Sequence, residues 1–95
     1  MIIYEVNIQI SSGIIRDFLT WLISHSNRMM DFDGFERYNI YNNLDYEKSF
    51  IIHYHIKGTH FLEKYLSSYL QGMKKQGKNK IGDKMNITRR VLSRI

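Results

Sequence analysis

His53 and His55 stand two residues apart in the stretch Ser49-Phe50-Ile51-Ile52-His53-Tyr54-His55-Ile56. In an extended chain, residues i and i+2 lie ~6.7 Å apart on one face. Two imidazoles placed that way can converge on one ion, and Glu5 on a neighbouring strand could supply a third ligand. Two histidines and a carboxylate are a redox-metal or hydrolytic set. Arg90 argues against it, because a guanidinium beside Glu5 takes the carboxylate and repels a dication. No metal is therefore favoured; if one binds, its ligands are His53, His55 and Glu5. Glu5, Asn7, His53, His55, Thr88 and Arg90 could instead line a small-ligand site. The plainest reading makes both histidines polar packing in a subunit interface.

Other chemistry is sparse. The chain has no cysteine, which excludes disulfides, Cys-ligated zinc and thiol catalysis. No Ser-His-Asp order, Gly-rich phosphate loop or paired-carboxylate motif stands out. His25 follows Trp21 by one turn and borders the core, and His60 is a surface residue. No catalytic residue is assigned, no cofactor is expected, and enzymatic activity stays open, with the balance against it. The longest apolar stretches are too short to span a bilayer, no leader precedes the first strand pattern, and a cytoplasmic home is expected.

The elements that must position these groups follow from periodicity. The 95 residues suit one domain, 1–95. Ile2, Tyr4, Val6, Ile8 and Ile10 alternate with Ile3, Glu5, Asn7 and Gln9, which is a strand with one apolar face. Ser11 and Ser12 can cap a helix from Ile14 to about Met30, where apolar residues recur at three and four. Asp31, Asp33 and Gly34 break it. Phe35 to Tyr41 is a weak, charged strand with Tyr38 and Ile40 set against Phe35, Arg37 and Tyr41, as befits a sheet edge. A turn at Asn42-Asn43-Leu44-Asp45 leads into the strand 49–56, on which Phe50, Ile52, Tyr54 and Ile56 share a face. Thr59 is placed to cap a second helix with Leu62, Tyr65, Leu66, Tyr69, Leu70 and Met73 inward. Met85 to Ile95 is a last strand, with Met85, Ile87 and Val91 against Asn86, Thr88, Arg90 and Leu92. Arg89 falls on its apolar side, which predicts a bulge or an exposed strand end.

This order, β-α-β-β-α-β, predicts an α+β ferredoxin-like sandwich: a four-stranded antiparallel sheet in order 4-1-3-2 with both helices on one face. Val6, Ile8, Phe18, Leu22, Phe50, Ile52, Tyr54, Leu66 and Leu70 are the expected core. The opening Met-Ile-Ile-Tyr-Glu-Val-Asn, Trp21 with His25, Gly34-Phe35 and Arg89-Arg90 resemble a family of short bacterial proteins of unknown function. That family is similar to the dimeric α/β-barrel group of ferredoxin-like folds. The resemblance implies fold and homodimer and carries no catalytic residue. The uncovered sheet face points the same way, since Ile3, Ile51 and Leu92 on it call for a partner surface.

Charge raises a rival. Residues 1–73 hold six Lys/Arg and eight Asp/Glu, whereas residues 74–95 hold eight Lys/Arg and one acid. Such asymmetry suggests a polyanion. Ferredoxin-like sheets also form RNA-recognition motifs, which stack bases on aromatics of strands 1 and 3 away from the helices. Here the parity is wrong, because Tyr4 shares the helix side with Ile2, Val6 and Ile8. What remains is Lys74, Lys75, Lys78, Lys80 and Lys84, able to hold phosphates without regard to sequence. About five phosphate contacts on duplex DNA would make log K fall by ~4.5 per decade of salt. The expected outcome is no specific nucleic-acid role. Fluorescence titration with short RNA and DNA duplexes should show no tight binding at physiological salt. Sequence-selective binding lost on replacing Lys78 and Lys80 would overturn this.

Overall fold

In a computed structural model, the structure describes residues 1–10, 15–68 and 85–95. Its elements are β1 (Ile2–Ile10), α1 (Ile15–Met29), β2 (Phe35–Asn42), β3 (Ser49–Ile56), α2 (Thr59–Ser68) and β4 (Met85–Ser93). The four strands form one sheet in the order β2-β3-β1-β4, every neighbouring pair antiparallel. This is the ferredoxin-like βαββαβ sandwich, with the two most cleanly alternating strands, β1 and β3, at its centre. The serines expected to cap α1, the positions after Ser68 including Leu70, and the lysine stretch 74–84 lie outside the described residues.

Period two does the sorting. Ile2, Tyr4, Val6, Ile8 and Ile10 of β1 and Phe50, Ile52, Tyr54 and Ile56 of β3 are all buried, and one core joins them to Phe18, Leu22 and Met29 of α1 and Leu62 and Tyr65 of α2. Both helices therefore cover the same face. The α1 residues recur at three and four, so one stripe meets the sheet. Ser26 enters this layer because its Oγ pairs with the Tyr54 hydroxyl at 3.1 Å, which satisfies two buried polar groups at once.

Three expectations need correction. Phe35 lies on the helix side with Tyr38 rather than against it. A register irregularity between Phe35 and Arg37 takes up one extra residue, so Phe35 pairs with Ile56 and is buried. Leu66 is 37% exposed, and Leu62 and Tyr65 supply the buried contacts of α2 instead. Arg89 sits neither in a bulge nor at a strand end. Its register opposite Val6 is regular, it is half-buried, and it lies on the helix-facing side of edge strand β4. Boundaries also shift slightly: β4 ends at Ser93, and Thr59 is the first residue of α2.

Gly34 is required where α1 turns into β2. Its φ of 83° is left-handed, and a Cβ there would stand 2.2 Å from Cγ of Phe61. Only a bare backbone lets that ring pack against the turn. The β2–β3 connection is shaped by Asn43, whose Oδ1 accepts the Asp45 amide at 3.0 Å in a local side-chain turn.

Ile52 is 0% exposed at the centre of this core. Ile52→Ala should lower unfolding free energy by roughly 2–5 kcal/mol, a large part of a small domain's stability. Urea denaturation measures it. A loss below about 1 kcal/mol would contradict the packing described.

Candidate functional site

The second face of the sheet has no described helix over it, and the register arranges it in rows. Asn39, His53, Glu5 and Arg90 stand side by side across β2, β3, β1 and β4. One row along, Arg37, His55, Ile3 and Leu92 face each other in the same strand order. On the other side lie Tyr41, Ile51, Asn7 and Thr88. The apolar groups Ile3, Leu92 and Ile51 thus flank a polar centre. All three are half-buried.

Glu5 organises that centre. It is only 7% exposed although no described helix covers it. His53 Nε2 donates to Glu5 Oε1 at 2.8 Å, and Arg90 Nε donates to Glu5 Oε2. Arg90 itself is 69% exposed along its side chain, so it reaches in from solvent at the sheet edge. The Arg90 hydrogen bond is the main influence holding the Glu5 carboxyl below its ordinary range; partial burial opposes it, and His53 adds to the lowering. Pairing therefore wins over desolvation and Glu5 is a carboxylate at neutral pH. Because His53 gives its Nε2 hydrogen to Glu5, its Nδ1 is left to accept a proton or a donor when the ring is neutral. The Tyr41 ring meets His53 edge-on at 5.2 Å.

His55 is not part of this cluster. Its Nε2 accepts from Asn39 Nδ2 at 3.4 Å, and burial, then the Arg37 charge, pushes its pKa down, favouring the neutral ring. Among the described residues no three His, Asp or Glu side chains gather as a metal set. Both Glu5 oxygens are already engaged, by a histidine and a guanidinium, which is not how a metal-ligating carboxylate is left. Asn7 accepts from Ser49 Oγ at 3.4 Å, and exposed Thr88 stands opposite Asn7. Of the six ligand candidates, the structure thus joins Glu5, His53 and Arg90 directly and sets Asn7, His55 and Thr88 in the flanking rows. The five candidate lysines lie outside the described residues.

Sequence reasoning missed Asn39 and Tyr41, which complete the rows from β2. Tyr41 had been given the correct parity, but its neighbour His53 emerges only from the β2–β3 register. Away from this face, His25 stacks on Trp21 with centroids 5.0 Å apart at 14°. Burial, helped by Arg28, pushes its pKa down to about 4. His60 is exposed beside Phe61, as anticipated.

Fold and face together define a small α+β protein of the ferredoxin-like class with a charged row on the sheet face opposite its described helices. Residues 1–95 match the family described as a domain of unknown function, DUF4286, and the chain belongs to that family. No curated protein matches it in sequence. Among solved structures it is similar to SnoaB, a cofactor-independent oxygenase from Streptomyces nogalater, with a TM-score of 0.76 at 12% identity over 99% of this chain and 93% of that one. It is similar to an antibiotic biosynthesis monooxygenase with a TM-score of 0.75 at 9% identity, covering 100% of this chain and 99% of that one. The heme degrader MhuD from Mycobacterium tuberculosis, which carries two hemes in its active site, gives a TM-score of 0.76 at 6% identity over 100% and 96%. Identities this low establish a shared fold and nothing further.

Two titrations should be separable in acid. His25 is held neutral, so the unfolded chain takes the proton first and stability falls as pH drops from 6.5 toward about 4. Glu5 is held ionised, so its contribution is complete above about 4.5 and is lost as pH falls through its lower folded value. Urea midpoints measured against pH should therefore decline in two stages. His25→Gln should flatten the upper stage and Glu5→Gln the lower one. A wild-type midpoint that stays level between pH 6.5 and 4 would contradict the burial of neutral His25.

Proposed function

We propose that the 95 residues form one domain that pairs with a second copy through the open face of the sheet, in a cytoplasmic setting. Glu5, His53 and Arg90, flanked by Asn7, His55 and Thr88, then form the polar floor of a small-ligand site at that interface. The observation that carries this reading is the company Glu5 keeps. A nearly buried carboxylate and half-buried Ile3, Ile51 and Leu92 occupy a face over which no described helix lies. Water alone is a poor neighbour for such a mixture. A two-fold pairing would set this face against its own copy, so each side would supply the same apolar flanks and the same central charges. The charges of the central row compensate within one subunit, because Glu5 is matched by Arg90 and His53, so bringing two copies together does not require burying a lone charge at the centre of the face.

The fold neighbours support a small-molecule role only broadly. One is a cofactor-independent oxygenase and one is a heme degrader, so the scaffold accommodates chemistry both with and without a bound cofactor. No cofactor is invoked here. The engaged oxygens of Glu5 speak against a metal-dependent reaction at this face.

Sedimentation velocity at micromolar concentration should give about twice the 11.4 kDa chain mass. Ile51→Glu places a charge in a flanking apolar row and should yield a folded monomer with an unchanged helical spectrum. A wild-type monomer throughout the micromolar range would sink the dimer, and Ile51→Glu sedimenting as wild type would move the interface elsewhere.

A further inference from the structure

The open face holds one group whose charge is not fixed. Asn39, His53, Glu5 and Arg90 share its central row, and of these only an imidazole ordinarily changes charge between pH 5 and 8. Glu5 is kept ionised, first of all by the Arg90 hydrogen bond, and a guanidinium does not shed its proton. His53 Nε2 already gives its hydrogen to Glu5 at 2.8 Å, so a proton arriving at Nδ1 adds a charge without breaking that bond. The His53 side chain is 24% exposed, so water reaches it in a single subunit.

The neighbours of His53 set the sum of charge. From β1 it meets Glu5, with Arg90 of β4 beyond, and from β2 it meets uncharged Asn39 and the Tyr41 ring. In the next row Arg37 stands beside His55. Burial, then Arg37, then His53 push proton uptake by His55 to lower pH, and Glu36 pulls it partly back. While His53 is neutral, Glu5 and Arg90 cancel and the central row carries no net charge. Once His53 is protonated, the row carries one positive charge. A two-fold pairing repeats that charge on the second copy, so acid sets like against like on a surface that water has left. Like charges brought together across an interface oppose association.

We propose that pairing through the open face is acid-sensitive: proton uptake by His53 places a positive charge at the centre of each facing sheet and separates the two copies. This inference rests on the open-face dimer proposed above.

Sedimentation equilibrium of the full chain at about pH 8 and about pH 5.5 tests it, with circular dichroism showing the fold kept at both. One pH unit below an ordinary imidazole pKa of about 6.5, about a tenth of rings are neutral, and the requirement counts once per copy. The dissociation constant should therefore rise by about tenfold or more toward acid, with about a hundredfold as the ceiling. His53→Gln, which can still donate to Glu5 but cannot charge, should lose this dependence. His60→Gln, on α2 and away from the face, should keep it. Dilution calorimetry near neutral pH, in two buffers of different ionisation enthalpy, should show that dissociation takes up protons, a readout that needs no variant. A dimer whose dissociation constant rises less than about tenfold, dissociation without proton uptake, or a His53→Gln dimer as acid-sensitive as wild type overturns the switch and leaves the dimer standing. A monomer at both pH values overturns the dimer itself and the switch with it.

Discussion

β1 is hydrogen-bonded on both sides, and its register with β3 and β4 is the constraint on which the rest depends. A slip of one residue would exchange its faces. Ile2, Tyr4, Val6, Ile8 and Ile10 would turn out from under the helices, and Glu5 would turn in. Exposing a large apolar side chain forfeits roughly 1.5–3 kcal/mol, and an unpaired carboxylate in the core costs more still. Five apolar residues and one acid therefore hold a single register. That register alone brings His53 and Arg90 to the two sides of Glu5.

The Glu5 cluster shows how opposing terms resolve at a half-covered surface. Burial on its own would raise the carboxyl pKa. Two donors, one from a permanently charged guanidinium, outweigh that and lower it. Exposed ion pairs contribute little because water screens them and long side chains lose freedom. Arg90 is mostly exposed, whereas Glu5 is not. The weight of the cluster thus lies less in net stability than in fixing one imidazole orientation and keeping a carboxylate charged on an otherwise half-apolar face.

Tyr4 and Glu5 are consecutive residues on opposite faces, so the sheet carries polar groups of two different kinds back to back. On one side a carboxylate is fully engaged. On the other a phenol is buried, its pKa raised by that burial and drawn partly back by Arg89, in a layer of rings that includes Phe32, Phe35, Tyr54 and Tyr65. The layer is closed by local backbone features: Gly34 lets Phe61 pack over the α1–β2 turn, and Phe35 is drawn into the core by the irregularity beside it.

The sequence by itself determined the element order, the central place of β1 and β3, and which residues of those strands face the helices. Period two and period 3.6 are local properties, and they were strong in exactly those elements where burial on one side is most complete. It also placed Glu5, His53 and Arg90 on one face and anticipated that a guanidinium would claim the carboxylate. The tertiary structure decided what local pattern does not encode. An extra residue between Phe35 and Arg37 reversed the face of Phe35, because an irregular pairing is a property of two strands and not of one. Leu66 has helical spacing suited to the core, yet Leu62 and Tyr65 fill the contact, since a short helix meets the sheet along a narrow stripe. Arg89 looked like a fault in an alternating strand. Only the regular register with β1, and the burial of Tyr4 beneath the helices, showed that its charge belongs on that side.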